Sequence, residues 1–149
     1  MTRWLNEEEQ EAWRHFLDGA NRLLEYLDHS LQEHHGIPLT DYEILVFLSE
    51  APYKHLRMSE LADHVLVSRS RLTYRVDRLV EQGLVVRTQV SDDRRGLYAE
   101  LTQRGADLLA DAARTHVGDV RDHLMDHIEP ADLPAFRRVW KSVSSYSAG

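Results

Sequence analysis

The chain has 149 residues, a formal net charge of −7 at pH 7 and no cysteine. This length fits one domain, with or without oligomerisation helices, and suffices to bury a core without disulfides. The absence of cysteine excludes thiolate zinc sites, a reactive thiol and a disulfide scaffold. No apolar run approaches the roughly 18 residues of a membrane-spanning helix, and the N-terminus resembles no signal peptide. We therefore expect a soluble, cytoplasmic protein with no membrane partner.

The acidic total charge hides a basic segment in the middle of the chain. Residues 1–50 contain 3 basic and 11 acidic side chains, whereas residues 68–96 contain 7 arginines and 4 acidic side chains. For a polyanionic partner, the local field at the contact matters more than the total charge. Residues 68–96 are therefore the candidate nucleic-acid interface.

The first half of the chain predicts four helices, each beginning at a polar capping residue. Apolar residues spaced three and four apart from Ala12 to Leu31 indicate that the first helix is long and ends at Gly36. The second helix is predicted to begin at a capping box and to end before Pro52. The predicted caps are Asn6, Thr40, Ser59 and Ser68.

The period of the pattern changes after the fourth helix, which is predicted to run to about Gln82. Leu84, Val86, Thr88 and Val90 then alternate with Val85, Arg87 and Gln89. A second alternating run follows a polar loop at residues 91–96, so two short strands form a predicted β-hairpin. Thr102 is expected to open a fifth helix with an apolar stripe extending to Ile128, and Pro134 marks the entry to a sixth.

Two short consecutive helices followed by a hairpin with an arginine-rich tip are typical of a winged helix-turn-helix. The fourth helix has one apolar stripe, formed by Leu72, Val76, Leu79 and Val80. Its opposite face carries serine, arginine and tyrosine, which suit contacts with guanine and with the methyl group of thymine. Charged helix faces are usually only solvated, but few acids lie among these arginines, which favours DNA contact.

Several short motifs follow one another along the chain in a family-specific order. They are Ser59-Glu60-Leu61-Ala62, Ser68-Arg69-Ser70, Val76-Asp77-Arg78-Leu79, Gly83-Leu84-Val85, Asp93-Arg94-Arg95 and Leu101-Thr102-x-x-Gly105. In this order and spacing, the chain resembles the MarR (multiple antibiotic resistance regulator) family. The resemblance implies a mainly α fold with a small β-hairpin wing, a dimeric winged helix-turn-helix of four helices, two strands and two further helices.

The resemblance also implies a function. It implies a homodimer that binds a pseudo-palindromic operator in double-stranded DNA and regulates transcription, usually as a repressor, under the control of a small aromatic or phenolic effector. No cofactor is expected. The predicted DNA contacts, from the helix pattern and the resemblance together, are Ser68, Arg69, Ser70, Arg71, Thr73, Tyr74, Arg75, Arg78, Arg94 and Arg95. The candidate effector-binding residues, in a cleft between the dimer helices and the DNA-binding domain, are Trp13, Arg14, His15, Phe16 and Tyr42.

Three functional parts of the chain are predicted. Residues 1–36 form an N-terminal dimerisation helix, residues 37–101 the winged helix-turn-helix DNA-binding domain, and residues 102–149 the C-terminal dimerisation helices. The long apolar stripes on the terminal helices need a cover, which a symmetric partner provides. The alternative is a larger monomeric bundle.

Three further hypotheses stay open at this point. His123 and His127 lie four residues apart and His116 one heptad earlier, so a zinc-responsive regulator of the same fold is an alternative, although no metal site is assigned. A winged helix that binds another protein is a second alternative, but it would not need arginines at the wing tip. An enzyme is the third, and we expect none, because the chain has no nucleophile elbow, phosphate loop or HExxH motif.

Overall fold

The computed structural model describes residues 1–65, 67–89 and 96–147. The helices in these ranges are α1 (Glu7–His35), α2 (Leu39–Glu50), α3 (Met58–Val65), α4 (Arg69–Glu81), α5 (Gln103–His123) and α6 (Leu133–Ser147). The strands are β1 (His55–Arg57), β2 (Val85–Gln89) and β3 (Leu97–Leu101). The chain divides into two compact units, Met1–His116 and Val117–Gly149. The predicted mainly α fold with a β-hairpin is confirmed.

The strands form one antiparallel sheet in the order β1-β3-β2. Val85 of β2 is paired with Leu101 of β3, and Leu56 of β1 is paired with Ala99 on the other side of β3. The sequence prediction omitted β1. This strand has only three residues, which is too short for an alternating pattern to show, and it is held by pairing with a segment more than 40 residues away.

A single cluster of buried apolar side chains fills the space between the helices and the sheet of the first unit. Leu31 of α1 and Leu45 of α2 lie in it together with residues from α3, α4, β2, β3 and α5. Helix α4 contributes Leu72, Val76 and Leu79, all three from the predicted inward stripe. The opposite face of α4 is therefore turned away from the core.

The ends of α1 follow the sequence signals. Asn6 accepts a hydrogen bond from the Glu9 backbone, and the Glu9 side chain accepts one from the Asn6 backbone, so the predicted capping box is present. Gly36 ends the helix in the left-handed region at φ 71°, a conformation that costs glycine nothing. Both predictions for this helix are confirmed.

Three other predicted helix ends are wrong. Helix α2 begins at Leu39, so Thr40 lies inside it and caps nothing; the side chain of Asp28 in α1 instead accepts from the Leu39 backbone N–H at 2.8 Å. Helix α3 begins at Met58, which places Ser59 in its first turn. Helix α5 stops at His123 because Leu124 leaves the helical region, with φ −133° and ψ −62°.

The junction between β3 and α5 explains the Leu101-Thr102-x-x-Gly105 motif. The Thr102 hydroxyl donates to the Gly83 carbonyl at 2.7 Å and accepts from the Gly105 backbone N–H at 3.0 Å. A β-carbon at Gly105 would lie 2.1 Å from the carbonyl oxygen of Leu84. Glycine is therefore required here so that the start of α5 can approach the start of β2 closely.

None of the described helices combines the length and the apolar character needed to cross a lipid bilayer.

Candidate nucleic-acid interface

Helix α4 presents a polar face whose start is fixed by a side-chain cap. Ser68 adopts an extended backbone, and its Oγ accepts from the backbone N–H of Arg71 at 3.2 Å. This cap satisfies one of the free N–H groups of the first turn and leaves others available for an acceptor such as a phosphate oxygen. The predicted cap at Ser68 is confirmed.

Seven of the predicted DNA contacts lie exposed at this cap and along this face. They are Ser68, Arg69, Ser70, Arg71, Thr73, Tyr74 and Arg78. Within the described part of the chain, neither Arg69 nor Arg71 forms an ion pair, whereas Arg78 lies 3.8 Å from the Glu81 carboxylate. The structure therefore places these side chains on the exposed surface of α4, with the guanidinium groups of Arg69 and Arg71 open to solvent.

Arg75 is placed differently from its predicted role. Its Nε and Nη2 donate to the two carboxylate oxygens of Asp41 in α2, each at 2.6 Å. The Asp41 hydrogen bonds raise the pKa of the Arg75 guanidinium above its ordinary value. The guanidinium is thus turned towards α2, and two of its N–H groups are bonded there to the buried carboxylate in a bidentate arrangement.

Arg87, which the sequence analysis did not select, links strand β2 to α4. The Nη1 of Arg87, in β2, lies 2.5 Å from the carboxylate of Asp77, and its Nη2 donates to the Thr73 carbonyl at 3.4 Å. Asp77 and Arg87 are ten residues apart in different elements, and no local pattern in the sequence indicates that they are partners. The contact joins α4 directly to strand β2.

The other predicted DNA contacts, Arg94 and Arg95, lie outside the described residues.

The candidate effector-binding residues do not form one pocket within the chain. Tyr42 is 7% exposed and packs in the core, 4.5 Å from the ring of His116. Trp13 and Phe16 are exposed neighbours on α1 with ring centroids 5.7 Å apart. Along α1, Trp13 lies about 27 Å from the core residue Leu31, at 1.5 Å per residue, so Trp13 is far from the part of the helix that reaches the core.

The two other candidates are also exposed on α1. Arg14 donates to Gln10 at 3.4 Å, and His15 lies 3.8 Å from the Glu11 carboxylate. Both are short-range contacts along the same helix. Neither brings these side chains towards Tyr42.

A cleft of about 400 Å³ lies elsewhere, between the ends of α1 and α4 and the start of α5. Its lining combines apolar side chains, including Leu84, with charged ones, including Arg104 and Asp111. His35 also lines it, and its Nε2 lies 2.7 Å from the Thr115 hydroxyl. None of the predicted effector residues lines this cleft.

The histidines are not grouped as a metal site. His116 packs against Tyr42, His123 ends α5, and His127 lies in the following 3-10 turn rather than one turn further along the helix. Among the residues that the structure describes, no three histidine or carboxylate side chains are arranged to hold a metal ion. The zinc hypothesis gains no support from this arrangement.

A three-stranded sheet beside two short helices, the second with an exposed polar face, defines a winged helix-turn-helix protein. A model of the MarR family matches residues 35–96. Sco3205, a MarR family transcriptional regulator from Streptomyces coelicolor whose crystal structure is in complex with DNA, is 38% identical with a TM-score of 0.93 over 97% of this chain and 90% of that one. AbsC, a MarR family regulator of the same organism, is 39% identical with a TM-score of 0.92 over 97% of both chains. The chain belongs to the MarR family of transcriptional regulators.

A more distant relative agrees with this assignment. The HTH-type transcriptional regulator MhqR of Bacillus subtilis (strain 168) is 29% identical over 86 residues, which span 58% of each chain. Members of the family are transcriptional regulators, and the prediction that the chain is not an enzyme is confirmed.

Proposed function

We propose that the chain binds double-stranded DNA sequence-specifically, as a homodimer on a pseudo-palindromic operator, and represses transcription. The observation that carries this proposal is the exposed face of α4, where Arg69, Arg71 and Tyr74 project from a capped helix. An α-helix fits the major groove, where arginine contacts guanine bidentately and an aromatic ring contacts a thymine methyl group. The DNA complex of the relative Sco3205 supports the same partner for this chain. The proposed location of the protein is the cytoplasm.

The charge distribution supports a polyanionic partner despite the acidic total. Within residues 68–89 there are five arginines and two acidic side chains. Arg75 and Arg87 are paired with Asp41 and Asp77, which leaves Arg69 and Arg71 without an ion pair among the described residues and Arg78 exposed beside Glu81. Arg94 and Arg95 remain the proposed wing contacts with the minor groove.

Exposed apolar side chains on the terminal helices support a homodimer. Leu17 and Leu24 of α1 are exposed, as are Val139 and Val143 of α6. Apolar residues at helical spacing are expected to be covered by another surface, and most soluble oligomers are closed by a two-fold axis. Such an axis would place the two copies of α4 about 34–36 Å apart, which is the distance of one turn of DNA.

We further propose that a small aromatic or phenolic effector releases the operator. The cleft of about 400 Å³ has the size of ordinary small-molecule sites, about 300–1,000 Å³, and combines Leu84 with the guanidinium of Arg104. A ligand shifts the protein away from its DNA-bound form only if it binds another conformation more tightly. This step is tested by measuring whether any of a panel of phenols releases the protein from the operator. The same measurement on Arg104→Ala, which removes a side chain that lines the cleft, is the comparison.

Selection from a library of random duplexes tests DNA binding directly. The purified chain is expected to enrich a two-fold symmetric motif with half-sites about 10 base pairs apart. Binding to this motif should weaken steeply as salt rises, because each neutralised phosphate releases counterions. A chain that enriches no motif, or whose duplex binding is insensitive to salt, would contradict the proposal. A promoter carrying the motif then tests repression, which predicts lower transcription when the protein is present.

A further inference from the structure

We propose that the ion pair between Asp41 and Arg75 sets the orientation of α4 on DNA, and that Arg75 is a positioning residue rather than a DNA contact. The inference rests on the proposed DNA-binding function. It assigns a role to Asp41, an acidic side chain that would not be expected to matter for DNA binding. It also changes the role of Arg75, which the sequence analysis predicted to contact DNA.

The geometry of the pair fixes more than a distance. Two parallel hydrogen bonds of 2.6 Å join the edge of the guanidinium to both oxygens of the carboxylate. This bidentate arrangement restricts the rotation of both groups as well as their separation. Asp41 is 1% exposed, and the Arg75 side chain is 22% exposed. The pair is therefore shielded from water and from competing ions, unlike a pair on the surface.

The position of Arg75 on α4 makes this contact relevant to DNA. Arg71 lies one turn before it and Arg78 nearly one turn after it, and the guanidinium lies 5.7 Å from the centre of the Tyr74 ring. Any rotation of α4 about its axis would move these side chains and would also break the two bonds to Asp41. Because Arg75 is held by Asp41, the rotation of α4 about its axis is restricted, and with it the direction in which the exposed face points.

The other end of the contact is itself anchored. Asp41 lies in the first turn of α2, whose Ile44, Leu45 and Leu48 are buried in the core. The backbone N–H of Leu39, two residues before Asp41, donates to the Asp28 side chain of α1. Asp41 is thus fixed by the core and by α1, so it provides a rigid reference for α4.

Stability alone is a poor explanation for the pair. Removing two charges from water is costly, and replacing a buried ion pair by packed apolar side chains often leaves stability unchanged or raises it. What an apolar pair does not provide is a directional bond that selects one rotation of the helix. This difference separates a positioning role from a structural role experimentally.

The test measures affinity for the selected operator and for an unrelated duplex, across a salt series, with the melting temperature of each variant. The variants are Asp41→Asn, Arg75→Met and the double variant Asp41→Leu with Arg75→Met. The matched control is Asp63→Asn, which removes the same charge from an exposed position on α3. Asp41→Asn is the sharpest variant, because loss of a negative charge by itself strengthens attraction to DNA.

The positioning role predicts that Asp41→Asn and Arg75→Met each weaken operator binding by about tenfold or more, a usual size for residues that act as a coupled pair. Asp63→Asn should leave operator binding unchanged or slightly stronger. The double variant is expected to recover the melting temperature but not the preference for operator over unrelated duplex. The slope of affinity against salt should be the same for Arg75→Met as for the wild type.

Three results would overturn the inference. A double variant that regains both the melting temperature and the operator preference would make the pair purely structural. A salt slope reduced by about one unit in Arg75→Met, with tighter binding by Asp41→Asn, would make Arg75 a phosphate contact. A wild-type chain that selects no duplex would overturn the proposed function itself, and the wild-type arm separates this case from the other two.

Discussion

Arg87 of β2 and Asp77 of α4 form an ion pair that links the sheet directly to α4. The same guanidinium donates to the Thr73 carbonyl, so it contacts α4 at two points one turn apart. Together with Arg75 and Asp41, the pair means that α4 is held from two sides, by α2 and by β2. The exposed face of α4 is therefore presented by a helix with little freedom to rotate.

The two ion pairs are expected to differ in what they contribute to stability. The Asp77 side chain is 49% exposed, so solvent screens its attraction to Arg87. Urea unfolding of Asp77→Ala, Arg87→Met and the double variant is expected to give a coupling free energy below about 1 kcal/mol. A coupling of about 2 kcal/mol or more would show that the pair behaves as a buried one.

Removal of the α4 cap should destabilise the protein by a predictable amount. Ser68→Ala leaves the Arg71 backbone N–H without its hydrogen bond, and we expect the free energy of unfolding to fall by about 1 kcal/mol. Ser70→Ala is the comparison, because Ser70 is exposed in the first turn and caps no backbone group; its Oγ lies 3.3 Å from the Ser68 Oγ, so this variant removes that contact and leaves the cap in place. Equal losses in the two variants, measured by urea unfolding, would be inconsistent with a cap at Ser68.

Two glycines of α5 provide a pair of opposite substitutions. In Gly105→Ala, the new methyl group would lie 2.1 Å from the Leu84 oxygen and 2.7 Å from a methyl carbon of Leu101. We expect a loss of about 3 kcal/mol in the free energy of unfolding. At Gly118 nothing lies within 4 Å, so Gly118→Ala should stabilise the helix by about 0.5–1 kcal/mol.

Both glycine variants are to be compared with the wild type by thermal and urea unfolding under the same conditions. Opposite signs are the expected result. A Gly105→Ala chain as stable as the wild type would mean that α5 does not approach β2 as closely as described.

Alkaline stability should depend on Tyr42. Burial raises the pKa of the Tyr42 phenol above its ordinary value of about 10. The folded state then keeps this proton at a pH where the unfolded chain loses it, so the free energy of unfolding falls as pH rises above about 10. In Tyr42→Phe this component disappears, and wild type and variant should diverge with pH only in the alkaline range. Wild-type and Tyr42→Phe stabilities that fall in parallel above about pH 10 would contradict this role for the Tyr42 phenol.

Much of the fold could be predicted from residues that lie close together in the sequence. The capping box at Asn6 and Glu9, the left-handed glycine at Gly36 and the cap at Ser68 all involve residues within a few positions of each other. Signals of this kind are visible without knowledge of the tertiary structure. The exposed face of α4 also followed from its helical period.

The contacts that hold α4 were not predictable in the same way. Asp41 and Arg75 are 34 residues apart, and no local pattern connects them. Position around the helix gave no signal either: at about 100° per residue, Arg75 lies about 40° from the buried Leu79, but the exposed Arg69 lies closer still to the buried Val76, at about 20°. Only the fold shows that Arg75 has a partner inside the domain and that this partner is Asp41.

A comparison of Arg71→Ala with Arg14→Ala tests whether the exposed face of α4 recognises base sequence. Both substitutions remove one exposed arginine, but Arg14 lies on α1. Affinities for the selected operator and for its single-base variants would be measured for both. We predict that Arg71→Ala costs about 1–3 kcal/mol of binding free energy and loses discrimination at one base position in each half-site, while Arg14→Ala changes neither. An Arg71→Ala chain that retains wild-type affinity and discrimination would contradict the claim.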